Sequence, residues 1–256
     1  MNELERQKYI LDLVRERQFI TVNDLSDLMD ASPATIRRDV VKLDQRALLR
    51  KVHGGIARID DEPGIARGKP YRENQVLNVV QKQAIAQAAA QLCHDGDTIF
   101  IHAGSTCSLF SRSLTTKSLR VYTNSIAVSE NIWRNEHCHL HLLGGDLHRE
   151  QAVLHSQRAW DEQFFVAKCF MGTLGLGPDG LLENDPLLVR VVEMIAKRAS
   201  DVIVLADSSK FAMRPRLHAL AFSHVSTLVT DDGVTDKDAK MIEDAGVQIV
   251  IAPAIG

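Results

Sequence analysis

The sequence predicts two unequal α/β units: a small N-terminal module of three helices closed by a β-hairpin, then a larger domain on a mainly parallel sheet. Three observations carry that prediction. Apolar residues recur at helical spacing in three segments before residue 46, two of them opened by capping residues. Residues 60–71 (DDEPGIARGKPY) gather Pro63, Gly64, Gly68 and Pro70, which break both helix and strand. Beyond residue 97, short apolar runs alternate with helical stretches, as in strands joined by crossover helices. The expected boundaries are 1–59 for the first domain, 60–74 for a linker and 75–256 for the second domain.

With 45% hydrophobic and 25% charged residues, composition excludes disorder, collagen-like repeats and a disulfide scaffold. No apolar run approaches the roughly 18–20 residues that span a bilayer, and MNELERQKYI lacks the apolar stretch of a signal peptide. Cys93, Cys107, Cys138 and Cys169 are widely spaced and match no zinc pattern. A cytoplasmic protein with reduced thiols and no membrane contact is expected. The net charge of −3 is unevenly spread. Residues 1–31 carry four basic and seven acidic side chains, whereas residues 32–58 carry seven basic and two acidic ones. Such a segment suits a phosphate-facing surface.

The first helix is RQKYILDLVRER, with Ile10, Leu11, Leu13 and Val14 between charged residues. Thr21 caps a second, with Val22, Leu25, Leu28 and Met29 on one face. Ser32 and Pro33 open the third, because proline at the first helical position sacrifices no hydrogen bond. Its apolar seam is Ile36, Val40 and Leu43, which leaves Thr35, Arg37, Arg38 and Lys42 away from the packing. Guanidiniums there suit guanine edges or phosphates. LLRKVHGGIARI then reads as two short strands around a glycine turn, a basic wing beside a helix-turn-helix.

In the larger domain, VLNVVQKQAIAQAAAQL is a helix with Leu77, Val80, Ala84, Ala88 and Leu92 on its expected stripe. Strands follow at TIFIHA, LRVYT, HLHLL, KCFMGT, DVIVLAD, STLVT and VQIVIA. Ligands of such sheets bind beyond the carboxyl ends of the strands. Those ends are Gly104-Ser105-Thr106, Thr123-Asn124-Ser125, Gly144-Gly145 and Asp207-Ser208-Ser209-Lys210. Small residues opening a helix expose backbone N–H groups to an anion, and Lys210 adds positive charge. Several such turns on one edge favour a small phosphorylated ligand.

ATIRRDVVKL followed by RKVHGGI resembles the winged helix-turn-helix signature of the DeoR-type bacterial transcriptional regulators. HDGDTIFIHAGST, VYTNSIAV, LLGGDLHRE and LADSSKF resemble successive blocks of that family's effector domain, so the likeness covers nearly the whole chain. It implies a small α/β winged helix-turn-helix N-terminal domain followed by a larger, Rossmann-like α/β domain similar in fold to ribose phosphate isomerase. It implies that Ser32, Thr35, Arg37, Arg38 and Lys42 contact operator DNA, with Arg50, Lys51 and His53 on the wing. The effector contacts it implies are Gly104, Ser105, Thr106, Asn124, Ser125, Gly145 and Lys210. The implied function is that of a repressor of carbohydrate use, released from double-stranded operator DNA by a phosphorylated sugar. A homo-oligomer, dimer or tetramer, is expected, because one recognition helix reads too few base pairs.

The chain departs from the family at His102, where an acidic residue is common, and at Leu188 and Val192, where charged residues are usual. Arg190 and Glu193 are the nearest charges to take over there. The rival reading is a sugar-phosphate isomerase or deaminase on the same fold, with Glu183 and Asp185 as candidate carboxylates. Asp185-Pro186 reads more naturally as a helix start, and no catalytic residue is expected. His137, His139 and His141 alternate along a strand, yet nothing completes a metal set, so no metal or cofactor is expected. Cys107 reads as a packing residue rather than a redox sensor, and Met171, Phe164 and Phe165 as core.

Overall fold

The computed structural model describes residues 3–17, 19–45, 49–52, 55–57, 69–156 and 164–254. The chain divides into two compact units, Met1–Ile65 and Ala66–Gly256. Most of the predicted linker lies outside the described residues.

The first unit holds α1 (Glu3–Arg17), β1 (Phe19–Thr21), α2 (Val22–Met29), α3 (Pro33–Gln45), β2 (Arg50–Val52) and β3 (Gly55–Ala57). Thr21 starts α2 with a reciprocal capping box: its hydroxyl accepts from Asp24 N–H, and the Asp24 carboxylate accepts from Thr21 N–H. Ile10, Val14, Leu25, Ile36, Val40, Leu43, Leu49 and Ile56 close one core. The hairpin is present as β2 and β3, antiparallel. The short strand β1 adds to β3 and makes a three-stranded sheet, an element with no signal in the sequence pattern.

The second unit begins with α4 (Tyr71–Asn74), α5 (Val79–Ala90), β4 (Thr98–Ile101), α6 (Ser105–Arg112), β5 (Arg120–Thr123), α7 (Ile126–Trp133) and β6 (His139–Leu142). A hairpin of β7 (Asp146–His148) and β8 (Val153–His155) follows, then β9 (Val166–Met171), β10 (Gly175–Leu176), β11 (Gly180–Glu183) and α8 (Pro186–Ala196). The chain continues with β12 (Ala199–Leu205), β13 (Leu217–Ala221), β14 (Thr227–Asp231), α9 (Asp236–Asp244) and β15 (Gln248–Ala252). Among the described residues, seven strands form one sheet in the order β15-β14-β12-β9-β4-β5-β6, every pair parallel. A small antiparallel sheet, β10-β11-β13, stands apart from it.

Alternation along the strands builds two cores. Ile99, Ile101, Phe170 and Ile203 join α5, α6 and α7 on one face. Phe100, Cys169, Met171 and Val204 join α8, α9 and the small sheet on the other. Three expectations change. Helix α5 starts at Val79, and Leu77 and Val80 are exposed; its buried residues are Lys82, Ala84, Ile85, Ala86, Ala89 and Ala90. The helix is covered on two sides, by α6 and by β14 and β15, so no single stripe describes it. Phe165 is exposed, whereas Phe164 and Met171 are core. His137 lies in the turn before β6 rather than on the strand.

Candidate nucleic-acid interface and ligand cleft

In the first unit, helix α3 is pinned from behind. Asp39, buried on its inner side, accepts from Arg6 Nε at 2.5 Å and from Gln7 Nε2 at 3.4 Å. One of the two acids of the basic segment is thereby neutralised inside the fold. Ser32 caps the helix as predicted: its hydroxyl accepts from Thr35 N–H at 3.2 Å and lies 2.9 Å from Thr35 Oγ1. Arg37 and Arg38 are exposed. With Ala34 and Val41, also exposed, they occupy the i, i+3, i+4, i+7 stripe opposite Ile36, Val40 and Leu43. Ala34 and Val41 carry no charge to mark them in the sequence; apolar side chains there suit a thymine methyl. Lys42 is exposed but not idle, since its ammonium lies 2.7 Å from Glu3 on α1 and holds that carboxyl below its usual range. Arg50 and Lys51 fall on β2, and His53 lies outside the described residues.

The strand order places the second site. From β4 the chain moves outward through β5 and β6; β9, β12, β14 and β15 build the other side. The order therefore reverses between β4 and β9, and the crevice at such a switch point is where open α/β sheets hold ligands. A cleft of about 700 Å³, its solvent mouth included, opens there. Residues 102–107 after β4 and Gly172–Leu174 after β9 form its floor. Gly104 begins α6 at φ +124°, without a side-chain cap and with open space where a Cβ would stand. The first-turn amides are left without a side-chain partner from the cap, the arrangement that receives an anion.

Two lysines converge on this floor. Lys210, after β12, is the predicted one. Lys82 on α5, 1% exposed, was missed, because in sequence it reads as an ordinary helix lysine. Its ammonium donates to Asn74 O at 2.7 Å. Burial pushes its pKa down to about 8, against the pull of Asp207 and with the repulsion of Lys210. Gly104, Ser105, Thr106 and Lys210 thus share one cleft, and Lys82, Lys69, Asn74 and Gln151 add to it.

The other three predicted contacts are not among the lining residues. Asn124 Nδ2 donates to Leu154 O at 3.0 Å, and Ser125 Oγ caps α7 through Val128 N–H. Both sit at the end of β5, one strand beyond the switch point, and tie down β8. Gly145, at φ +148°, lets the hairpin close: a Cβ there would stand 2.1 Å from His155 O.

His102 lines the cleft, 5% exposed. Its Nε2 is sealed from solvent without a hydrogen-bond partner among the described residues, and burial pushes its pKa down to about 4. Leu188 lines the same wall. Val192 belongs to the core instead, and Arg190 and Glu193 are exposed and outside the lining. The two candidate carboxylates are separated in role. Asp185 accepts from Leu187 N–H at 2.8 Å, capping α8, and pairs with His148 Nε2 at 3.2 Å. Glu183 lines the cleft, its pKa raised by burial and lowered in part by Lys210. Cys107 is fully buried, with its thiol pushed up to about 12 by burial. Among the described residues no group of three histidines, cysteines or carboxylates is placed to hold a metal, and no helix is long and apolar enough to cross a membrane.

A helix-turn-helix with a wing, joined to an α/β domain with an anion-ready crevice, defines the class of ligand-responsive transcriptional regulators. The chain matches the DeoR-like helix-turn-helix domain over residues 6–62 and the DeoR C terminal sensor domain over residues 77–232. It belongs to the DeoR family. Over 251 residues it is 28% identical to the HTH-type transcriptional regulator UlaR of Salmonella newport (strain SL254), spanning 98% of this chain and 99% of that one. The protein of the same name from Salmonella heidelberg (strain SL476) matches equally. Among solved structures, ribose 5-phosphate isomerase A from Methanocaldococcus jannaschii is 20% identical, with a TM-score of 0.38, over 51% of this chain and 53% of that one. The chain is a transcriptional regulator, and the isomerase reading is set aside on the family assignment.

Proposed function

We propose that the protein is a cytoplasmic repressor of a carbohydrate-utilisation operon, released from its operator when a phosphorylated sugar or related metabolite fills the cleft. The observation that carries this reading is the meeting of the uncapped start of α6 with Lys82 and Lys210 at the switch point. That seat suits a dianion, and the cleft beside it has room for a hydroxylated body. Gly104, Ser105, Thr106, Lys82 and Lys210 hold the phosphate. Arg37 and Arg38 read the operator with Thr35, while Ser32, Lys42, Arg50, Lys51 and His53 face its backbone. The working domains are residues 1–59 and 75–256.

The active species is a dimer or tetramer whose heads meet half-sites about 34 Å or a multiple apart. For ligand to release DNA it must bind one arrangement of subunits better than the other. The test is fluorescence anisotropy on DNA from upstream of the protein's own gene and its neighbours. Each complex is challenged with sugar phosphates and their unphosphorylated parents. Release by a phosphorylated compound and not by its parent is the expected result. Absence of specific, salt-sensitive DNA binding would sink the reading.

A further inference from the structure

The cleft is lined by chemically different groups. The start of α6 with Lys82 and Lys210 makes an anion seat. His102, Ala103, Leu188 and Glu183 line the same cleft. Several polar groups around the cleft are spent within the protein. Lys82 donates to Asn74, the single Thr173 hydroxyl proton is shared between Gly175 O and Leu182 O, and Glu183 accepts from Asn184 N–H. His102 is buried yet not spent in this way. Six buried side-chain polar atoms lack a partner among the described residues, and His102 Nε2 is the one that belongs to a cleft-lining residue. A buried nitrogen without a partner is costly, and native folds rarely keep one without a use.

We infer that His102 Nε2 reads an uncharged oxygen of the effector beside its phosphate, so that the cleft takes a monophosphate with a neutral, hydroxylated body and disfavours a second anion there. The inference rests on the proposed sugar-phosphate reading and specifies it. The imidazole sits in apolar surroundings, with Phe100 stacked at 6.4 Å between ring centroids and Leu188 on the same wall of the cleft. Those surroundings keep it neutral, and a neutral imidazole trades one hydrogen bond with a hydroxyl whichever nitrogen carries the proton. A second anion would need a cation in that place, and would meet Glu183 as well. Lys69, which also lines the cleft, is exposed, and its charge is screened by water.

The test is calorimetric titration of the full-length protein with inorganic phosphate and with matched pairs. Fructose 6-phosphate is set against fructose 1,6-bisphosphate, and glucose 6-phosphate against 6-phosphogluconate. The expected result is that at least one monophosphate binds about tenfold tighter than its doubly anionic partner. His102→Ala should weaken that monophosphate about tenfold while inorganic phosphate binds as before, which also checks the fold. His102→Asn, which keeps a neutral donor and acceptor, should retain most of the affinity. Equal loss for inorganic phosphate and sugar phosphate, no loss for either, or preference for the doubly anionic partners would overturn the inference alone. Failure of inorganic phosphate and of every sugar phosphate to bind would overturn the sugar-phosphate reading and the inference with it.

Discussion

Lys82 is a charge held where a charge is unwelcome. With a folded pKa of about 8 against an ordinary 10.5, the folded state binds fewer protons than the unfolded state between those values. Stability therefore rises with pH from about 8 to 10.5. Anion binding runs the other way, because only the protonated amine attracts a ligand. Sulfate, dianionic throughout, should bind the protein at pH 7 and lose affinity as pH passes 8, as calorimetry would report. Lys82→Met should raise the unfolding midpoint at pH 7 by about 2–4 °C and abolish sulfate binding. An unchanged sulfate affinity would remove Lys82 from the site. Lys210→Ala should weaken the response to ligand and leave DNA binding in its absence untouched, measured by the same anisotropy titration. In the head, Asp39→Ala should destabilise the first unit by about 2–4 kcal/mol, since it removes the buried carboxylate that Arg6 and Gln7 both donate to; urea unfolding measures it.

Elements were legible where their signals are local. Caps at Thr21, Ser32 and Asp185 each start a helix at the residue expected, because a side-chain oxygen accepting an N–H two or three residues on is decided within one turn. Asp185→Ala, which removes the cap of α8 and the partner of His148, should cost about 1 kcal/mol in denaturant titrations. The buried face of α5 was not legible. An alanine-rich helix packed on two sides has no contrast between faces, and its buried charged side chain is a lysine that composition treats as solvated. Strand β1, three residues long, is too short for alternation to show. The sheet β10-β11-β13 is held by pairings far apart in sequence, with a register shift between Leu181 and Leu182.

At the scale of the whole molecule, strand ends could be read one by one, but not which of them meet. Gly104–Thr106 and Lys210 come together because β4, β9 and β12 are neighbours. Asn124 and Ser125 carry the same local signature at the end of β5 but are not among the cleft's lining residues, and they bond to Leu154 O and to Val128 N–H. Strand order is non-local, and no spacing rule contains it. The division at residues 65–66 makes a further prediction. Arg38→Ala should abolish operator binding while full-length protein keeps its sugar-phosphate affinity. Loss of both in one folded variant would mean that the two units do not work separately.

The closeness of His102 to Gly104, Ser105 and Thr106 has a consequence for how such a regulator changes its diet. On the proposed reading, one stretch of five codons encodes both the phosphate handle and the residue beside it that inspects the rest of the ligand. On that reading a single base change at codon 102 would redirect what the cleft accepts without loosening its hold on phosphate, so a duplicated gene would acquire a new signal in one step.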